Sequence, residues 1–415
     1  MTITIASIFL IVYLGMILGG LPFLQLDRTG VALLGAIAMI SVDALSLQEA
    51  AEAVHLPTVI LLFSFMVVSA QMRLGGFYDR VTRSLVALTL SPPRLLGAMM
   101  ILVAGLSAVF SNDIVCLAVA PVLINACTER RLDPIPYLLA LACAANIGSA
   151  ATLIGNPQNM LIGQTLRLSF AAYFAEAVLP VALGLIATWG LIVWQTRGRW
   201  TQPDSAVAEH PNRGQRDVET PLDRWQTAKG LAVAAVLLAM FLFVPWPREH
   251  VALTAAGVLL MSRRLHSNKM LGLVDWELLV LFMGLFVVNH ALQQTGLSAT
   301  VVSELSLLGL DLRRPGPLFV ATFLLSNVVS NVPAVMLLLP LVQHPIAGPM
   351  LALVSTLAGN LLIVGSIANI IVVDAAARRG IRIDWRRHAR VGVPVTLATL
   401  AILAGYLWVR LRVMG

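Results

Sequence analysis

Asp113 stands inside an apolar stretch, directly after Ser111 and Asn112, with ILVAGLSAVF before the trio and IVCLAVAPVLI after it. An ionised carboxylate held at bilayer depth costs about 3 kcal/mol or more, so a retained one marks an ion or proton path. The same residue can cap a helix start by accepting backbone amides, and the two roles are compatible. Amides and hydroxyls recur where other apolar runs break. The first half has Asn146, Ser149, Thr152, Asn156 and Asn159, and the second has Ser326, Asn327, Ser330, Asn331, Asn360, Ser366 and Asn369. Taken singly, each is explained as a small polar residue tightening a helix contact, and that reading suits Asn146, Ser326 and Asn327.

Spacing singles out a subset. Ser111-Asn112 and Pro121 return 219 positions later as Ser330-Asn331 and Pro340. Thr152-Leu-Ile-Gly155-x-x-x-Asn159 returns 210 positions later as Leu362-Ile-Val-Gly365-x-x-x-Asn369, and Val31-Ala32-Leu33 returns as Val251-Ala252-Leu253. Two copies of an apolar unit, each with polar interruptions at matching positions, are the mark of a secondary transporter. Recurrence assigns Asn112, Asn159, Asn331 and Asn369 to the lining of a site. Asp113 has Val332 as its mate, so symmetry did not require it. His290 matches Ala70 and reads as a core histidine rather than a proton relay; Glu176 and Asp374 fall near span ends and read as interfacial. Cys116, Cys127 and Cys143 lie in apolar stretches without CxxC spacing and read as buried small hydrophobes.

These residues need elements that hold them at depth. With 58% hydrophobic and 12% charged residues, the 415-residue chain is too apolar for a soluble globule. Apolar runs near bilayer-crossing length recur from end to end. Spans are expected at about 3–20, 30–47, 57–74, 137–166, 170–195, 229–246, 250–263, 276–294, 349–372 and 391–410. The first reads as a retained span rather than a signal peptide, because no basic segment or cleavage site accompanies it. Between the third and fourth spans, two arms of about 15–17 residues, roughly 23–25 Å of helix, meet at Ser111-Asn112-Asp113. They form an expected re-entrant hairpin over about 94–127, with its partner over about 315–342 and an apex at Ser330-Asn331. Gly155-Asn156-Pro157 breaks the fourth span, since proline removes a donor and clashes with the preceding turn. Gly365-Ser366 is the matching break. Exposed amides at such breaks suit anions and exposed carbonyls suit cations.

The fold class expected is all-α integral membrane, with two inverted repeats of five transmembrane helices plus one re-entrant hairpin each. The repeats cover 1–197 and 227–415, joined by a cytoplasmic linker over 198–226. Five crossings per half is odd, so the second half must be inverted, and counting each hairpin as two crossings leaves the parity unchanged. With residues 73–94 inside, only Arg167, Arg248, Arg313, Arg314, Arg410 and Arg412 of the 28 Lys and Arg fall outside. Both termini are then outside a cytoplasmic membrane. The +7 charge therefore orients the chain in a lipid bilayer and implies no nucleic acid partner. No HExxH, GxSxG or GxxxxGK occurs, which disfavours an enzyme or an ATP-driven pump. A channel would need no inverted repeat with two hairpins.

Four stretches resemble the ion transporter superfamily with a citrate-transporter-like domain: SNDIVCLAVAPVLI, NIGSAATLIGNPQNMLIG, SNVVSNVPAVMLLLP and, more loosely, GNLLIVGSIANIIV. Its members include arsenite pumps, sodium/proton antiporters of the ArsB/NhaD branch, and divalent anion/sodium symporters. The resemblance implies two re-entrant hairpins, two broken helices, often a homodimer, and alternating access by elevator-type motion. It implies that Ser111, Asn112, Ser330 and Asn331 bind substrate or coupling ion, joined by Thr152, Gly155, Asn156, Gly365, Ser366 and Asn369. Dicarboxylate symporters carry Ser-Asn-Thr at both tips, whereas here the tips read Ser-Asn-Asp and Ser-Asn-Val. An aspartate there repels a dianion unless it is protonated or neutralised; the arsenite-pump branch shares Asn-Asp at the first tip. The expectation is a secondary transporter of a small anion or arsenite-like oxyacid, coupled to protons through Asp113, with no cofactor. Sodium/proton antiport and sodium-coupled di- or tricarboxylate symport are the alternatives.

Overall fold

The computed structural model of the chain describes residues 1–21, 24–201 and 221–414. Helices dominate; among the described residues one isolated bridge, between Leu132 and Thr201, is the extended pairing. Most of the expected 198–226 linker lies outside the described residues. Of its described ends, Trp200 packs edge-on against Tyr137, and Asp223 caps the next helix by accepting from the backbone N–H groups of Trp225 and Gln226.

The helices before residue 202 are α1 (Thr2–Leu18), α2 (Arg28–Ser41), α3 (Leu47–Ala53), α4 (Leu56–Leu74), α5 (Phe77–Val86), α6 (Pro92–Val109), α7 (Asn112–Glu129), α8 (Pro134–Ser149), α9 (Pro157–Thr165) and α10 (Phe170–Thr196). Those after residue 220 are α11 (Arg224–Phe243), α12 (Arg248–Leu260), α13 (Ser267–Leu271), α14 (Trp276–Gln294), α15 (Leu297–Leu307), α16 (Pro315–Val329), α17 (Asn331–Leu338), α18 (Ala347–Ala358), α19 (Ile367–Ala377) and α20 (Trp385–Met414). The two series follow one order of long and short elements. α4 and α14 are each 19 residues, and each is preceded by a helix of seven or five. Seven of the helices (α4, α6, α7, α10, α11, α14 and α20) are long and apolar enough to cross a membrane alone.

Local chemistry sets the boundaries. The span expected over 30–47 stops at Ser41, because Ser46 and Glu49 form a capping box that starts α3. α5 and α15 were not anticipated. α5 is too polar for a crossing and buries only the Tyr78, Thr82 and Val86 stripe, whereas α15 is apolar but only 11 residues long. Each broken span is two pieces, α8 with α9 and α18 with α19.

α8 and α18 form the centre. All of α8 from Tyr137 to Ser149 and all of α18 from Met350 to Ala358 is buried, as expected of helices with neighbours on every side. α10, α11 and α20 instead turn large apolar residues outward, including Trp194, Phe243 and Trp408. Contacts between the halves are exchanged. α2 packs on α14 while α12 packs on α4, and α19 packs on α7 and α8 while α9 packs on α17 and α18. The two last helices run antiparallel. Glu176 near the start of α10 pairs with Arg410 near the end of α20, and Gln195 near the end of α10 donates to the Arg390 carbonyl near the start of α20.

The arms α6 and α7 are 18 residues each, slightly longer than expected. α6 runs alongside α8 in the same direction, with Tyr137 donating to the Pro92 carbonyl at one end and Gly148 against Ala104 towards the other. At the turn, the Asn112 N–H donates to the Gly155 carbonyl, and α7 returns to the start of α8. The second pair is shorter, with 15 residues in α16 and eight in α17 before a 3₁₀ turn over Leu339–Leu341.

Candidate functional site

Each break is built by its sequence. At the first, a Cβ on Gly155 would lie 2.2 Å from the Ser149 carbonyl oxygen, so only glycine lets the chain pass. Asn156 is extended and its side chain accepts from the Asn159 N–H at 3.0 Å, with Pro157 supplying the first helical position of α9. At the second, Ser366 is likewise extended before α19, but its hydroxyl reaches across to Asn146 Oδ1 at 2.9 Å.

The two breaks and two tips meet at one narrow cavity of about 40 Å³. Four helix starts line it: Asn112 and Asp113 of α7, Asn156 to Gln158 of α9, Ser330 to Val332 of α17, and Ser366 and Ile367 of α19. Gly365, Leu278 of α14, Asn146 of α8 and Thr356 of α18 complete the wall. Helix starts carry partial positive charge, and Asp113 is the charged side chain among these residues. Its carboxylate is half-buried and, among the described residues, makes no hydrogen bond or salt bridge. It caps nothing, which removes the capping explanation. Asp275 caps α14 by accepting from the N–H of Leu278, the residue that α14 gives to the cavity wall.

Asn146 is the hub. Its Oδ1 accepts from Asn112 Nδ2 at 3.0 Å and from the Ser366 hydroxyl at 2.9 Å. Its Nδ2 donates to Asn360 Oδ1 at 2.9 Å and Asn369 Oδ1 at 3.1 Å. Backbone fixes these orientations: Asn369 Nδ2 donates to the carbonyls of Gly359 and Leu362, so its Oδ1 must face Asn146. Asn146 therefore presents Oδ1 to Asn112, which must donate, and Asn112 Oδ1 is left buried without a partner among the described residues. Asn331 Oδ1 at the other tip is also buried and unpartnered. Unpaired buried acceptors are costly and call for a donor or a cation.

The bonds are reciprocal across the repeat. Asn146, Asn156 and Asn159 have Thr356, Ser366 and Asn369 as their mates at offset 210. Asn146 donates to Asn369 as Thr356 donates to Asn159, and Ser366 donates to Asn146 as Asn156 donates to Thr356.

Of the residues expected in the site, Asn112, Asp113, Asn156, Ser330, Asn331, Gly365 and Ser366 line the cavity. Ser111, Thr152, Gly155, Asn159 and Asn369 stand behind it. Thr152 donates to the Ala108 carbonyl, and Asn159 binds the Thr152 carbonyl and Tyr173. Sequence reasoning missed Gln158 and Thr356, both bonded into the network, and took Asn146 for a packing residue. Thr356 was findable as the mate of Asn146. Ser330 adds backbone strain, with φ 78° and ψ 162° in a region normally reserved for glycine.

Other expected residues fall elsewhere. His290 is half-buried beside Gln294 rather than in the core. Glu49 is held below the usual carboxylate range by its Ser46 hydrogen bonds. Asp374 pairs with Arg378 at the surface, and the three cysteines are buried and free. A larger open cleft of about 340 Å³, lined by Trp225, Lys229, Arg263 and Arg264 among others, contains none of the expected site residues.

The sequence profile described as "Citrate transporter" matches residues 9–358. An uncharacterized transporter of Mycobacterium tuberculosis is 30% identical over 86% of this chain and 87% of its own. The silicon efflux transporter LSI3 of Oryza sativa subsp. japonica is 30% identical over 92% of both chains. The inner membrane protein YbiR of Escherichia coli is 32% identical over 84% of this chain and 86% of its own.

Proposed function

The chain belongs to the citrate transporter family, and on that premise we propose that it is a proton-coupled secondary transporter of a small, weakly acidic oxyacid or its anion, with Asp113 as the coupling group. It is a multi-pass membrane protein of a transporter family within the ion transporter superfamily. The observation that carries the substrate class is the cavity wall. It combines one carboxylate, no Lys or Arg, amides and hydroxyls from both halves, and a buried unpartnered acceptor oxygen at each tip. Four helix starts offset the carboxylate, so the site suits a neutral or singly charged guest better than a dianion or trianion. Hydroxyl groups of an undissociated oxyacid supply the donors that Asn112 Oδ1 and Asn331 Oδ1 lack. The relative named a silicon efflux transporter points the same way, because silicon and arsenic(III) in neutral water are both largely uncharged hydroxides.

For the mechanism, the halves act as inverted repeats joined at 198–226. Reciprocal bonds are what a two-fold axis generates, and antiparallel mates α10 and α20 favour an axis in the membrane plane. The α6–α7 and α16–α17 pairs act as re-entrant hairpins whose tips stop at the breaks, which is supported by the Asn112 to Gly155 contact. Residues Ser111, Asn112, Thr152, Gly155, Asn156, Asn159, Ser330, Asn331, Gly365, Ser366 and Asn369 form or hold the binding site. Protonation of Asp113 removes the single charge, and its release on the opposite side of a cytoplasmic membrane drives the cycle. A homodimer with elevator-type motion and external termini completes the reading.

Sodium/proton antiport is the second reading, favoured by the same carboxylate and free amide oxygens, which are hard-cation ligands. The test is reconstitution with an internal pH dye, adding arsenite, silicic acid, phosphate, sulfate, citrate, succinate or sodium singly. Proton flux evoked by arsenite or silicic acid supports the first reading. Flux evoked by sodium alone replaces it with the second, and flux evoked by citrate or succinate alone overturns the argument from the cavity wall.

A further inference from the structure

The fourth residue of each last helix grips the same point in its own half, but with different chemistry. Tyr173, fourth in α10, donates its hydroxyl to the Ala150 carbonyl at 2.8 Å. His388, fourth in α20 and 2% exposed, places Nε2 3.1 Å from the Asn360 carbonyl. Ala150 and Asn360 are mates at offset 210, each just past the end of the first arm of its broken helix. Gly392, one turn further along α20, makes room for this contact, since a Cβ there would lie 2.5 Å from the Asn360 oxygen.

The geometry points to His388 as a positioning residue that makes one half of the site responsive to pH, an inference that rests on the proposed role of the Asn146 network. A carbonyl only accepts, so Nε2 carries the hydrogen whether or not the ring is charged. Protonation at Nδ1 keeps that bond, makes it charge-assisted, and sets a positive charge at the carbonyl end of α18, where a helix favours one. Asn360 Oδ1 takes its hydrogen bond from Asn146, so a tighter grip on Asn360 is passed to the hub beside the cavity. A phenol does the same work in the first half without titrating in this range.

The surroundings leave His388 as the group that changes. On its own segment stand Asp384, whose carbonyl accepts from the His388 N–H and whose carboxylate accepts from Arg387 N, together with Arg386, Arg387 and Arg390. Of the elements packed against α20, α8 and α18 contain no charged residue. α10 presents the neutral Gln195 at this end, and its Glu176 is engaged by Arg410 at the other.

The test has two arms. In vesicles, arsenite flux is measured while pH on the Arg378–Arg390 face is varied from about 5.5 to 8 with the other face fixed. The wild type is expected to show an inflection of about threefold or more in rate, superimposed on the smooth change that the proton gradient itself imposes. His388→Ala loses rate, His388→Tyr restores it without the inflection, and Tyr173→His gains an inflection when the pH of the opposite face is varied instead. The second arm, thermal unfolding of purified wild type and His388→Tyr against pH, needs no substrate. A pH-dependent difference between the two is expected. Retention of the wild-type inflection in His388→Tyr, or parallel stability profiles, overturns the inference. Should His388→Tyr not fold, a wild-type His388 ring nitrogen signal that does not titrate between about pH 5 and 8 overturns it. Absence of flux from every substrate would count against the transport reading instead, because the stability arm does not depend on it.

Discussion

Asn146→Ala is the substitution that most severely tests whether one amide holds the two halves together. It deletes four hydrogen bonds of 2.9–3.1 Å, two received from Asn112 and Ser366 and two given to Asn360 and Asn369. All four partners are buried, so none regains water without a local opening. Interhelical hydrogen bonds in membrane proteins average about 0.6 kcal/mol each, whereas an orphaned buried group costs about 1 kcal/mol or more, which brackets the loss between about 2 and 4 kcal/mol. Equilibrium unfolding in mixed micelles measures it, with Asp113→Asn as the companion. Asp113 has no hydrogen-bond partner among the described residues, so its substitution should leave stability within about 0.5 kcal/mol or raise it. A loss below about 1 kcal/mol for Asn146→Ala, or a larger loss for Asp113→Asn than for Asn146→Ala, would refute the assignment of hub and coupling group.

Three further outcomes follow from the same contacts. Ser330→Gly relieves a backbone conformation that costs a non-glycine residue about 1–3 kcal/mol, so it should raise the unfolding midpoint, and a lower midpoint would mean the serine side chain matters more than the backbone. Gly155→Ala drives a Cβ into the Ser149 carbonyl and should cost about 3 kcal/mol or more, read as loss of folded protein by size exclusion; a well-folded variant would show that the break can move. Glu176→Gln neutralises one partner of the two-bond contact to Arg410 between α10 and α20 and leaves a single acceptor oxygen, so it should lower the unfolding midpoint only slightly, with transport retained. Loss of transport at normal stability would instead make the α10–α20 seam part of the moving machinery.

Much of the candidate site was legible because its residues recur. The Gly155-Asn156-Pro157 break could be read from proline and glycine chemistry alone, and the Asn159/Asn369 pair from spacing. What escaped was relational. Asn146 looks like any small polar residue in an apolar helix, and its importance comes from four partners spread along the chain from Asn112 to Asn369. Thr356 and Asn146 are mates of different type, so a search for identical residues passes over them. His388 and Tyr173 were hidden for the same reason. α5 and α15 were missed because they bury too little apolar surface to announce themselves, and the strain at Ser330 has no signature in residue type.

The measurement closest to the central claim compares net transport with exchange in Asp113→Asn vesicles. Proton coupling through Asp113 predicts that gradient-driven accumulation of arsenite disappears while one-for-one exchange of internal and external arsenite persists, since a permanently neutral side chain can still carry substrate but cannot return a proton. Accumulation at the wild-type rate in a well-folded Asp113→Asn protein would contradict the account.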